Sequence, residues 1–71
     1  MYLMLKNGNM IEVKKNDNSV YYARVVDIIK GKDTHDKIIP VTTYRKMSLN
    51  KLQKICVLSK KDIMALERGM Q

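Results

Sequence analysis

Residues 19–30, reading SVYYARVVDIIK, constrain this chain more than any other stretch. They are rich in β-branched and aromatic side chains and contain no glycine or proline. Asn16-Asp17-Asn18 bounds them on one side and Gly31-Lys32-Asp33 on the other, which is the pattern of one long strand. Tyr21, Ala23 and Val25 alternate onto one face with Arg24 opposite, whereas Val26 and Ile28 seek the core and Asp27 seeks water. The inward parity therefore changes at Val25 and Val26. Side chains alternate with period two, so a strand changes its buried face only at a bulge or a sharp bend. One strand shared in this way by two small sheets predicts a compact barrel.

The 71 residues hold one domain, 1–71. A chain this short buries only about 60% of the surface that its unfolded form exposes, so the core is small and leaves little room for a deep active site. With no Phe or Trp and six Met, that core is built from Ile, Val, Leu, Met and tyrosine, and is adaptable rather than rigid. The single cysteine, Cys56, has no partner for an internal disulfide and lies in the apolar run 55–58; it reads as a buried hydrophobe in a reducing cytoplasm rather than as a reactive thiol. Residues 1–5 are too short an apolar run for a signal peptide, and no run approaches the roughly 20 residues that span a bilayer. The expectation is a cytoplasmic protein with no membrane partner.

Along the chain, apolar-rich runs at 2–6 and 10–15 flank Asn7-Gly8-Asn9. Asn-Gly predicts a tight type I′ hairpin there, and the alternation in the second run points Ile11 and Val13 inward. Asn16-Asp17-Asn18 turns the chain into the long strand. After the polar loop 32–36, residues 37–45 (KIIPVTTYR) predict a strand antiparallel to the central one, with Ile39 and Val41 inward and Pro40 at an edge or bulge because it has no amide hydrogen. Ser48 can cap a helix of about two turns carrying Leu49, Leu52 and Cys56 at helical spacing, and residues 55–58 resume as strand. Ser59 and Asp62, three apart, suggest a capping box for the tail, which is either a turn with a last short strand or a C-terminal helix ending at Gly69. The predicted fold is mainly β: a small SH3-like barrel of about five strands with one short α-helix between two of them, an open α+β sheet being the alternative.

Two resemblances follow from these residues. The order Tyr21-x-Ala23-x-Val25 after a hairpin resembles the second strand of Tudor and related SH3-like barrels. The whole chain, from Leu5-Lys6-Asn7-Gly8-Asn9 to Lys60-Lys61-Asp62-Ile63, resembles the YorP family of small proteins from bacilli and their temperate phages. That resemblance implies five strands with one α-helix between two of them and a phage or prophage accessory role. It carries over no catalytic or binding residues.

The residues give no sign of an enzyme. His35 is the one histidine; it stands in the polar loop with Asp33 and Asp36, in no metal-ligand spacing, and reads as a solvated turn. The glycines are scattered singly at turns, so there is no phosphate-cradling loop, and Ser19, Ser48 and Ser59 stand at element starts, where a hydroxyl caps the backbone. Asn16-Asp17-Asn18 lacks the further oxygens of a calcium loop. No metal, cofactor or catalytic residue is expected.

Charge is the best functional clue. The net charge is +7, and between Thr43 and Lys61 stand Arg45, Lys46, Lys51, Lys54, Lys60 and Lys61 with no acid. Lysines that neutralise phosphates release counterions, so such a patch favours nucleic acid; the blander reading is an exterior that keeps a small barrel soluble and its edges unpaired. Tyr21 and Tyr22 face opposite sides of their strand, with Tyr21 expected in the core and Tyr22 exposed. A face carrying Tyr22, Arg24, Tyr44 and Arg45 can stack bases and hold a backbone. The expectation is a non-enzymatic binding module contacting nucleic acid through Arg24, Arg45, Lys46, Lys51 and Lys54 with Tyr22 and Tyr44. The competing expectation is a module that docks on a host or phage protein through a strand edge or the Tyr22 face.

Overall fold

The computed structural model describes residues 1–16 and 20–68. In chain order the elements are β1 (Tyr2–Leu5), β2 (Met10–Lys15), β3 (Tyr21–Ile29), β4 (Lys37–Pro40), β5 (Arg45–Met47), α1 (Leu49–Ile55), β6 (Cys56–Val57) and α2 (Lys60–Glu67). All strands belong to one antiparallel sheet of order β4-β3-β2-β1-β6, and β5 lies beside β3 on the edge that β4 uses further along. The protein is mainly β, as its sequence predicts, with one strand and one helix more than expected. Its sheet is open, because among the described residues no pairing joins β6 to β4 or β5.

Local chemistry sets most of these boundaries. The β1–β2 hairpin forms where Asn7-Gly8 predicts it, but the closing bond runs from the Gly8 N–H to the Leu5 carbonyl (3.0 Å), so the central residues of the turn are Lys6 and Asn7 rather than the Asn-Gly pair. Gly8 follows at φ +95°, a conformation that glycine adopts without steric cost. Ser48 caps α1 by accepting the Lys51 N–H (3.1 Å). A reciprocal capping box starts α2: Ser59 Oγ accepts the Asp62 N–H (3.2 Å) and Asp62 Oδ2 accepts the Ser59 N–H (3.1 Å). Of the two alternatives for the tail, the helix is the one formed, and its C-cap is Arg68. The expected helix end at Gly69 and the expected turn and strand start at Asp17, Asn18 and Ser19 lie outside the described residues.

The core lies between one sheet face and the two helices. Leu3, Ile11, Val13, Tyr21 and Ala23 from the sheet pack with Leu52 of α1, Cys56 of β6 and Leu66 of α2. Ile11 and Val13 thus point inward as their alternation requires, and Cys56 is buried. The parity change in β3 is present: Tyr21 and Ala23 are buried on the helix side, while Val26, only 4% exposed, is buried on the opposite face.

The expected bulge, however, is not in β3. Its register with β2 runs unbroken from Tyr21↔Lys15 to Val26↔Met10, and the irregularity falls on the other edge, where residues 24 and 25 of β3 face residues 41–44. That segment stays bonded: the Val25 carbonyl accepts the N–H groups of Val41 (2.8 Å) and Thr42 (3.3 Å), and the Val25 N–H donates to Thr42 Oγ1 (2.9 Å). A bulge within β3 would interrupt two ladders, whereas one in the edge segment interrupts a single ladder.

The predicted strand 37–45 is consequently two strands, and three expected core residues are not core. Ile28 (39% exposed), Ile39 (37%) and Val41 (60%) face solvent. Pairing with β2 stops at Val26, so beyond it β3 and β4 form a two-stranded ribbon whose residues 27–29 and 37–40 are all exposed. Pro40 does lie on an edge strand, as its missing N–H demands.

Candidate nucleic-acid interface

Cross-strand register decides which side chains meet on the sheet face turned away from the helices. Three rows cross it. The first is apolar over five strands, Val57–Met4–Met10–Val26–Pro40; the second is Tyr2–Glu12–Arg24; the third is Lys14–Tyr22–Lys46. Strand neighbours lie about 4.8 Å apart, so each row is a line of touching side chains. The face therefore runs from apolar at one end to basic and aromatic at the other.

A compact polar cluster organises the basic end. The Tyr44 hydroxyl donates to Glu12 Oε1 (2.6 Å), the Arg24 Nε–H donates to the same oxygen (2.8 Å), and the Arg24 guanidinium stacks 4.4 Å from the centre of the Tyr44 ring. The Lys14 ammonium sits 5.2 Å from that ring centre. The Glu12 carboxyl is held below its ordinary value, first by the Tyr44 hydrogen bond and then by the hydrogen bond and charge of Arg24, with a further contribution from the charge of Lys14; burial opposes these. Glu12 is thus ionised at neutral pH, and its charge is spent on Arg24 and Tyr44. Neither Lys14 nor Lys46 forms an ion pair among the described residues.

Lys14, Tyr22 and Tyr44, with Lys15 and Asn16, line a cleft of about 340 Å³. The Lys15 ammonium is turned away from it, donating to the Glu67 carbonyl (3.0 Å) and the Leu66 carbonyl (3.4 Å) at the C-terminal end of α2. That arrangement adds a cationic donor to carbonyls of the last helical turn, of which Leu66 also accepts the Arg68 N–H of the C-cap. Tyr21, on the helix side of β3, is buried and donates its hydroxyl to the same Leu66 carbonyl (2.9 Å). Tyr22 is half-buried on the opposite face.

The seven residues singled out by sequence divide into two groups. Tyr22, Arg24, Tyr44 and Lys46 come together on the outer face. Arg45 pairs with Ala23 and so belongs to the helix side, because adjacent residues of a strand alternate faces. Lys51 and Lys54 are exposed on α1, the helix whose Leu52 packs on the inner face. A single patch of all seven therefore does not exist. Arg24, expected as a free contact, is engaged by Glu12 and positions Tyr44. Lys14 was missing from the expected set; its outward parity in Met10-Glu12-Lys14 was readable, but its place beside Tyr22 depends on the β2–β3 register.

His35 lies in an exposed loop, and among the described residues no three His, Cys, Asp or Glu side chains converge as metal ligands. No helix among the described residues is long and apolar enough to cross a membrane. Comparison with protein-family models, with curated proteins and with solved structures finds no match to this chain.

Proposed function

We propose that this protein is a non-enzymatic nucleic-acid-binding module whose contact surface is the basic, aromatic end of the outer sheet face. The observation that carries the reading is the grouping of Lys14, Lys46, Tyr22 and Tyr44 on one face, with the neighbouring acid, Glu12, neutralised by Arg24. Cations without carboxylate partners exchange their counterions for phosphates, and aromatic rings that line an open cleft can receive bases. The resemblance to the YorP family adds a phage or prophage accessory role. For the fold we carry forward an SH3-like barrel left partly open; it is supported by β3, which shares one edge between the short strands β4 and β5.

A comparison of two charge reversals tests the reading, with fluorescence anisotropy on labelled single-stranded DNA, duplex DNA and RNA at low and near-physiological salt. Lys14→Glu with Lys46→Glu, and Lys51→Glu with Lys54→Glu, each lower the net charge from +7 to +3, so long-range attraction falls equally in both. The outer-face pair is expected to abolish binding and the α1 pair to weaken it only modestly. Equal losses would remove the outer face as the site, and no binding by the unaltered protein at physiological salt would remove the function.

The apolar row supports a second reading, a module that docks on a host or phage protein. Val57 (62% exposed), Met4 and Pro40 stand at the surface around the buried Val26. Docking by strand addition at β4 is disfavoured. The Val41-to-Val25 bond sets the alternation of the ladder, which turns the nitrogen of Pro40 to the free edge, where a donor would be needed.

A further inference from the structure

We propose that the cleft between Tyr22 and Tyr44 receives an unstacked base of single-stranded nucleic acid, with the adjoining phosphates on Lys14 and Lys46. This rests on the nucleic-acid reading above and narrows it to one class of ligand. Both tyrosines line the cleft together with Lys14, and Lys46 stands beside Tyr22 in the sheet. A flat ring covalently joined to an anion matches that combination. In a duplex the bases are paired and stacked out of reach, so duplex DNA would have to be opened first, whereas a single strand presents ring faces directly.

The site is built before any ligand arrives. Tyr44 is fixed at its hydroxyl by Glu12 (2.6 Å) and over its ring by Arg24 (4.4 Å). Tyr22 sits in the middle of the sheet, paired to Lys14 on one side and to Lys46 on the other. Such preorganisation lowers the ordering cost of binding. Two groups that could read base edges are already engaged: the Arg24 Nε–H with Glu12 (2.8 Å), and the Asn16 side-chain carbonyl with the Val20 N–H (3.0 Å). Stacking alone is sequence-tolerant, so one base type should serve nearly as well as another.

The decisive probes are an oligo-dT strand of roughly 20 nucleotides, its duplex, and an abasic strand of equal length that keeps every phosphate and lacks every base. The unaltered protein should bind oligo-dT at least about tenfold more tightly than the abasic strand and the duplex. Tyr22→Ala should lower oligo-dT affinity to the abasic level and leave abasic affinity unchanged, while Tyr22→Phe, which keeps the ring, should retain tight binding. Equal affinity for oligo-dT and the abasic strand, or tighter binding of the duplex, overturns the base-stacking site and leaves the nucleic-acid reading standing. Failure of all three probes to bind at physiological salt overturns both.

Discussion

Tyr21 and Lys15 converge on one carbonyl, and that convergence makes a double-mutant cycle the sharpest test of how α2 is held. The Leu66 carbonyl accepts from the Tyr21 hydroxyl (2.9 Å) and from the Lys15 ammonium (3.4 Å), with Tyr21 and Leu66 both buried. Tyr21→Phe removes one neutral hydrogen bond but leaves Lys15 in place, so its cost is about 1 kcal/mol. Lys15→Met keeps the apolar stem and loses the charge at the helix C-terminus, which costs about 0.5 kcal/mol. With both changes the carbonyl loses both side-chain donors and keeps only the Arg68 N–H of the C-cap, so this poorly satisfied acceptor raises the penalty to about 3 kcal/mol, twice the sum of the single changes. Urea unfolding followed by circular dichroism reads these values directly. A chain of this size has a slope of about 1 kcal/mol per molar urea, so the midpoints should fall by about 1, 0.5 and 3 M. Total stability for such a domain is on the order of 4–10 kcal/mol, which leaves the double variant largely folded in water in all but the least stable case. A double variant whose loss equals the sum of the singles within about 0.3 kcal/mol would mean that water or the Arg68 N–H satisfies the carbonyl and that Tyr21 and Lys15 do not hold α2 together through it.

Two further outcomes follow from the ionisable groups. Because the folded state lowers the pKa of Glu12, this residue contributes stability that is fully present above the unfolded carboxylate value of about 4.3 and is lost as pH falls through the folded value. The stability difference between the unaltered protein and Glu12→Gln, measured by urea unfolding from neutral to acid pH, should therefore hold steady above about pH 5 and shrink below it; a difference that grows in acid would refute the sign. Burial pushes the Cys56 thiol above its ordinary value against the opposing charge of Lys6, so labelling by an aromatic disulfide reagent should proceed no faster than the protein opens. Immediate stoichiometric labelling of the folded protein would contradict the packing of Cys56 against the core.

The parts of the fold that sequence made legible are those governed by neighbouring residues. Ser48 and Ser59 cap the two helices because a hydroxyl beside a helix start meets an unpaired N–H three residues on, and Ile11 and Val13 face inward because alternation within one strand is local. What stayed illegible depended on where a distant strand stops. Ile28 and Ile39 have the composition of core residues, yet β2 ends opposite Val26 and leaves them on an uncovered ribbon. The same dependence split the candidate site. The basic run from Thr43 to Lys61 looks continuous in sequence, but Lys46 of β5 faces outward whereas Arg45 and the α1 lysines belong to the helix side of the sheet.

The two extra residues opposite Val25 explain why the outer face has the composition it has. A bulge of one residue would have reversed the alternation of β5 relative to β4. Two residues preserve it, so the even-numbered positions 38, 40 and 46 all stay on the outer side and Tyr44 reaches Glu12 there. Lys46 thereby stands beside Tyr22, and Arg45 is turned to the helix side. The insertion also separates β4 from β5 along β3, which assigns the apolar row to one half of the face and the basic, aromatic row to the other. A surface with both chemistries on a single rigid sheet can hold a nucleic acid at one end while its apolar end stays available to a different contact. The length of one edge segment is what divides them.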